Sequence, residues 1–562
     1  MKKTLCLLIA ALLILGMIAG CNGTTQAPSN EGEPSTSTDP SQPGGSDEQP
    51  GDEPLKIISY ANGAEPPVLE PVMSNYAATS ILVYNLFCGL SRIGENGVAE
   101  LAYAESYEVS DDGLVWTFKL RPDSKFSDGS ELTMYDFEKS FKYMLNPETG
   151  APGNDLKYYV KNALAYNSGE CTEDEVGIKA LDAETLEITL SNPTPYLLDL
   201  ACTYIPLKVD EIKDNPDWAK SPETYISNGA FRVKEMNPQV SVVMERNPYY
   251  YDAENVEIDQ VNFMFIDDAS VELQAYRDGT INVSDNLNAE AIAAYKDTDE
   301  YQSVSKIGCK YFTFHCGNVS DARVRRAMAL AIDRETIITG ILGLTYAPAT
   351  GVVPYGIHWG DQQYRDVAGD LLIENVEEAQ QLMAEAGYPN GEGMPVLRMI
   401  TMNNQEDIDT AQALQAMWKT NLGIETEITT YESAVYWDVF DTDDWDIARD
   451  GWTGDYDDPT TNMFLWEAHR EVNEDGTLKD ARWYNLPNSI KYDELMKQTY
   501  VELDFETRMN LFVEAEKTLL EDMPVLPLFF YDDSILCKPE VTGVLKSYIG
   551  HVFFQYADVA VD

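Results

Sequence analysis

The chain has 562 residues, with 95 Asp and Glu against 39 Lys and Arg, and a formal charge of −56 at pH 7. That charge repels phosphate backbones and anionic head groups over a Debye length, which argues against nucleic acid as a partner and selects no other ligand. The length exceeds what one hydrophobic core usually supports, so two or three lobes are expected.

At the N-terminus, Lys2 and Lys3 precede an apolar run over 5–17 and then Ile18-Ala19-Gly20-Cys21. The run is short for a membrane span, and small residues directly before a cysteine resemble the lipobox of bacterial lipoproteins. The resemblance implies a signal peptide over 1–20 and a diacylated Cys21 as the mature N-terminus. A plain secretory signal with an incidental cysteine is the other reading. Residues 22–53 are filled with Ser, Thr, Pro, Gly, Asp, Glu and Gln. They cannot offset chain entropy by burial, so a disordered tether is expected. The body would then sit at the outer face of the cell membrane, held by lipid alone.

Ordered signals begin with a strand at Leu55-Lys-Ile-Ile-Ser-Tyr and a helix over 81–87. The alternation over 114–120 predicts a strand, and Thr133 is a helix N-cap ahead of Phe137, Phe141 and Met144. A strand over 186–190 and the apolar run 196–205 complete a small α+β unit. Three successive strand signals, over 227–234, 242–250 and 261–266, suggest the sheet of a first lobe, with a helix end at Gly279 behind them. Next come a strand over 311–314 and a helix capped by Asp321, whose off-stripe Arg323, Arg325 and Arg326, with Arg334 beyond, read as a solvated face. Helices over 376–386, 407–418 and 507–520 alternate with strands over 424–428, 446–448 and 526–531, the pattern of an α/β lobe.

The stretch RDGWTGDYDDP at 449–459 combines two glycines, an indole, an arginine and several carboxylates. Taken alone it reads as an acidic surface turn, although these groups also outline a recognition loop. Asp441, Asp443, Asp444 and Asp446 lack the glycine and closing glutamate of a calcium loop and read as solvated acid. Beyond Cys6 and Cys21, six cysteines remain without CxxC spacing, and buried free thiols are the simplest reading. His315, His358, His469 and His551 are scattered, and no nucleophile elbow, phosphate loop or dinucleotide fingerprint occurs.

Several motifs stand in an order that resembles the peptide and nickel class of extracellular solute-binding proteins of ABC importers, typified by oligopeptide- and dipeptide-binding proteins. They are WTFKLR (116–121) with FSDG (126–129), the segment 133–141, NGAF (228–231), RNPYY (246–250), DARVRRA (321–327) with AIDR (331–334), EAGYP (385–389) and GWTGDYDDP (451–459). The resemblance implies an α/β, periplasmic-binding-protein-like two-lobed clamp with an additional α+β domain. Lobe I would combine 54–90, 224–305 and 525–562, domain II would span 91–223 and lobe III 306–524. It implies a monomeric, non-enzymatic receptor without cofactor or metal that passes a short peptide to permease subunits. By this resemblance Asp455 pairs with the peptide α-ammonium, Trp452 walls a side-chain pocket, and Arg449 reaches a carboxylate. Backbone at Gly451 and Thr453 pairs with the peptide, Trp437 lines the pocket, and Asn75 and Tyr76 face it from the other lobe. Two features depart from the family: Thr453 stands where some relatives carry a cysteine bridged to the position of Cys309, and the run after Trp437 is acidic. Oligosaccharide uptake, with Trp437, Trp445 and Trp452 as stacking platforms, is the alternative, and a glycoside hydrolase using a carboxylate pair is the enzyme reading.

Overall fold

The computed structural model describes residues 54–73, 76–442, 444–467, 483 and 486–561. Strand β1 (Ile57–Ala61) and helix α1 (Ala77–Leu86) lead into a separate antiparallel sheet of β2 (Ala104–Val109), β3 (Val115–Leu120), β4 (Ile178–Asp182) and β5 (Thr185–Thr189). Helix α2 (Met134–Leu145) packs on it through buried Phe137, Phe141 and Met144. Its start is the expected one: the Asp136 carboxylate accepts from both the N–H and the hydroxyl of Thr133, each at 2.8 Å.

The main sheet uses β1 with β6 (Phe231–Asn237), β7 (Ser241–Arg246), β8 (Gln260–Met264), β9 (Val283–Ser284), β10 (Tyr301–Phe314), β11 (Leu397–Met402), β12 (Thr426–Tyr431), β13 (Ile447–Thr453) and β14 (Val525–Cys537). Their order is β12-β11-β13-β10-β14-β9-β1-β8-β7-β6. Two long strands therefore join the halves. Near Tyr301, β10 pairs with the far end of β14, which also holds β9; from Cys309 onward it pairs with the start of β14 and, on its other edge, with β13. The register shifts between Ser305 and Cys309, a bulge that bends the crossing strands between the two halves.

Two buried clusters match these halves. One runs from β1 and α1 through α2 and the four-stranded sheet. The other surrounds β10 and β14 and the helices α3 (Ala322–Leu330), α4 (Val376–Glu385), α5 (Gln405–Leu422) and α7 (Phe505–Asp522). A small third cluster lies under α6 (Ser433–Phe440), with Tyr436, Phe440 and Trp445.

Three sequence readings change. Arg325 is completely buried and Arg334 is 6% exposed, so the arginines of this region do not form one solvated face. Arg325 donates to the carbonyls of Asp522, Met523, Val319 and Ser320, and Arg334 to that of Pro527; carbonyls left over at element ends make a guanidinium stable there. Asp446 is likewise buried, accepting from the Arg398 backbone at 2.7 Å and pairing with its guanidinium at 3.1 Å. The third change concerns Arg449 to Thr453, which are the second half of β13 rather than a loop.

Candidate functional site

Strand β13 is paired on both edges only at its start. It meets β11 through Ile447 and Ala448, whereas β10 follows it along its whole length to Thr453. From Arg449 to Thr453 the edge facing away from β10 is thus unpaired by any strand among the described residues. Antiparallel strands send the amide groups of alternate residues to opposite edges. Since the N–H of Gly454 donates to Ile307 of β10 at 2.7 Å, Gly451 and Thr453 face the open edge. The Gly451 N–H is covered there by the Asp450 carboxylate at 2.8 Å. A Cβ at 451 would lie 2.7 Å from the Tyr531 hydroxyl, so a larger residue there would have to push that side chain aside.

Arg449 does not extend freely into the cleft. Its Nε lies 3.0 Å from the Asp407 carboxylate, which also takes the ammonium of Lys310 from β10. Burial pushes the Asp407 carboxyl upward, but Lys310 and Arg449 outweigh it and hold it below the usual carboxylate range. Two cations thus share one buried anion, with Glu406 3.5 Å from Lys310 as a more exposed second. The Arg449 carbonyl accepts from the Tyr436 hydroxyl, which ties α6 to β13.

After Thr453 the chain turns outward through Asp455, and the residues around this turn are anchored. The N–H of Asp455 donates to Thr461 Oγ1 at 2.9 Å. Tyr456 is buried, stacks on Tyr196 with ring centroids 4.6 Å apart, and shares a hydrogen bond of 2.9 Å with the Tyr159 hydroxyl. Asp457 meets His358 Nδ1 at 2.6 Å, a hydrogen bond that raises the imidazole pKa. Asp458 receives the Arg508 guanidinium. Asp455 itself keeps a solvent-exposed carboxylate, yet shelter by surrounding protein and then the charge of Asp155 raise its pKa.

Trp452 and Asp455 line one cavity of about 660 Å³, whose opposite wall comes from Asp155, Tyr158, Tyr159 and Tyr196. The Trp452 indole packs edge-on against Phe464 at 5.7 Å, and its Nε1–H is buried with no acceptor among the described residues. A buried donor of this kind is satisfied when a ligand brings an acceptor. Asp455 also borders a second cavity of about 310 Å³, lined by residues of α1 and the segment 151–157.

The predicted residues divide accordingly. Arg449, Gly451, Trp452, Thr453 and Asp455 follow one another along β13 and its exit. Trp437 on α6 and Tyr76 before α1 are 43% and 61% exposed and stand outside the wall of the larger cavity. Asn75 lies outside the described residues, as do Asp443, His469, Cys6 and Cys21. Cys309 is a buried free thiol opposite Trp452 in the ladder, and Thr453 pairs with Gly308. Cys171 and Cys202 are only half-buried thiols, unlike the other four. Trp445 cannot serve as a sugar platform: it is completely buried, stacked on Phe440 at 5.2 Å, with its Nε1 donating to the Phe440 carbonyl. Sequence reasoning missed Asp155, Tyr159 and Tyr196. They are 259 to 300 positions from Asp455, and no local pattern announces their return to it.

A sequence model of the bacterial extracellular solute-binding proteins, family 5 Middle, matches residues 99–474. The dipeptide-binding protein DppE of Bacillus subtilis (strain 168) is 29% identical over 514 residues, 90% of this chain and 92% of that protein. The oligopeptide-binding protein OppA of the same strain is 28% identical over 503 residues, covering 88% and 91%. Among solved structures, the unliganded open form of the periplasmic murein tripeptide-binding protein MppA superposes with a TM-score of 0.77 at 26% identity, over 90% of this chain and 97% of that one. Haemophilus influenzae OppA in complex with RPPGFSPFR gives 0.66 at 27% identity, over 90% and 99%. With two-thirds of its length matched by the family model and the clamp architecture in place, the chain belongs to the bacterial extracellular solute-binding proteins of family 5.

Proposed function

We propose that this chain is the substrate-binding component of an ABC importer, which captures short peptides in the cleft beside β13 and delivers them to a permease. The observation that carries this reading is the open edge of β13 leading to an exposed carboxylate. A peptide laid along Gly451 and Thr453 would add a strand and displace Asp450 from the Gly451 N–H, and its α-ammonium would reach Asp455. Relatives named for dipeptide and oligopeptide binding, and a neighbour solved with a bound peptide, support the same chemistry. The clamp would close about β10 and β14, with lobe I at 54–90, 224–305 and 525–562, domain II at 91–223 and lobe III at 306–524. In that closure Trp437, Asn75 and Tyr76 would come to the peptide from the rim, while Arg449 would turn from Asp407 toward a carboxylate. No step of this function calls for catalysis, a cofactor or more than one copy of the chain.

The test is titration calorimetry with trialanine and N-acetyl-trialanine. The wild type should prefer the free amine by about 1.5–3 kcal/mol, roughly 10- to 150-fold, and Asp455→Ala should remove the preference. Equal affinity of the wild type for both peptides would defeat the ammonium role.

We further propose that Cys21 is lipidated and that 22–53 is the tether. Expressed in a bacterial host, the wild type should sediment with membranes and Cys21→Ser should appear in the soluble extracytoplasmic fraction; identical partition of the two would refute the anchor.

A further inference from the structure

The smaller cavity beside Asp455 differs in charge from the larger one. The larger is lined by the carboxylates Asp155, Asp455 and Glu467 and by no Lys or Arg among the described residues. The smaller, about 310 Å³, has Lys157 in its wall. Lys157 is 7% exposed and lines the cavity, and no carboxylate among the described residues forms an ion pair with it. Burial pushes its pKa down to about 8 and the charge of Asp155 only partly opposes this, so the group is still mainly protonated at pH 7. A lysine whose side chain is mostly buried and has no carboxylate beside it is costly to keep charged, and the partly open space next to it is where an acceptor would sit. The other polar groups do not fill that role. Thr79 and Ser80 donate to the carbonyls of Val68 and Tyr76, Thr203 to that of Leu200, and Asn154 to those of Met144 and Ala151. The first turn of α1 borders the space as well and adds the positive end of a helix dipole.

We propose that this cavity is a carboxylate-recognising subsite in which Lys157 selects peptides carrying Asp or Glu at or next to the amino terminus. The inference rests on the peptide reading above. Asp455 borders both cavities, so an amino end held there brings an adjacent side chain to the mouth of this one. The volume accommodates a single acidic side chain and the apolar wall from Val72, Val83, Leu156 and Ile205 suits its methylenes. Opposite character on the two sides of one anchor would let the receptor sort the first side chains by charge.

The experiment is calorimetry at pH 7 with tripeptides amidated at the C-terminus, so that a side chain supplies the only carboxylate: Glu-Ala-Ala against Gln-Ala-Ala, Ala-Glu-Ala against Ala-Gln-Ala, and trialanine amide as reference. At one of the two positions the wild type should favour Glu over Gln by about tenfold, and Lys157→Met should reduce that ratio to about one while binding trialanine amide as the wild type does. Titrating the wild type alone gives a second arm that needs no variant. The Glu to Gln ratio should fall toward one between pH 7 and pH 10 as the ammonium loses its proton, and taking the ratio cancels titration of the peptide amine. The other titratable groups bordering or acting on the space are Asp155, Asp455 and Tyr84, whose phenol burial pushes well above that range. Equal binding of Glu and Gln peptides by the wild type, an unchanged ratio in Lys157→Met, or a ratio independent of pH would overturn the inference while leaving peptide capture intact. If no peptide, trialanine amide included, binds the wild type, the peptide reading falls and this inference with it.

Discussion

Asp407→Leu is expected to lower the stability of the folded body by about 3–5 kcal/mol, because it strands the buried Lys310 ammonium beside Arg449. The Lys310 and Asp407 side chains are each only 1% exposed, so neither can be rehydrated without opening the sheet between β10 and α5. Glu406, 3.5 Å from Lys310 and 43% exposed, can take over part of the charge. Lys310→Met combined with Asp407→Leu should recover the part of the loss that comes from Lys310, since apolar side chains of similar volume often replace a buried ion pair without penalty, while Arg449 still lacks its carboxylate. Urea unfolding of the three proteins at pH 7 measures this; a loss below about 1 kcal/mol in the single variant would mean that the pair is not holding the crossing strand. The pair also sets an acid limit. A carboxyl whose folded pKa is depressed contributes stability that is complete above its unfolded value, about 3.9, and is lost as pH falls through the folded one. Asp407→Asn should therefore flatten the part of the acid limb below about pH 4.

Breaking the Arg508–Asp458 pair is the second large effect. Their side chains are 3% and 8% exposed, and the guanidinium meets the carboxylate with two donors, at 2.5 and 3.0 Å, while the Thr460 N–H adds a third at 2.9 Å. Arg508→Met leaves Asp458 buried without its cation and is expected to cost about 3–5 kcal/mol. It also frees the turn that carries Asp455, so the preference for a free peptide amine should shrink even at temperatures where the protein stays folded. Arg508→Lys should restore little, because one point charge cannot reproduce the two-pronged contact or the third bond to the Thr499 carbonyl. Full amine selectivity in a folded Arg508→Met protein would show that the turn is held by its tyrosines alone.

Much of the fold was legible where a local pattern decides a local outcome. The cap at Thr133, the stripe of Phe137, Phe141 and Met144, the helix end at Gly279, and the alternation of β3 all follow from short-range sterics and burial, and they form as read. Misreadings arose where distant backbone overrode the local rule. Arg325 looked like a surface cation until the carbonyls of Asp522 and Met523 came to it, and Asp446 looked solvated until Arg398 did.

The site shows the same division. Sequence alone determined the order of chemical groups along the chain, from Arg449 through Gly451, Trp452 and Thr453 to Asp455, and their place in a family pattern, because those are properties of one continuous segment. Tertiary structure alone decided which of these groups have partners. It put Asp407 on Arg449, Tyr159 and Tyr196 on Tyr456, and Arg508 on Asp458, each contact joining residues at least 42 positions apart. It left the outer edge of β13 beyond Ala448 without a strand partner among the described residues and a mostly buried lysine in a cavity wall. Hydrogen bonding and charge compensation act through space at a few ångströms, so they become visible only after folding has brought the partners together.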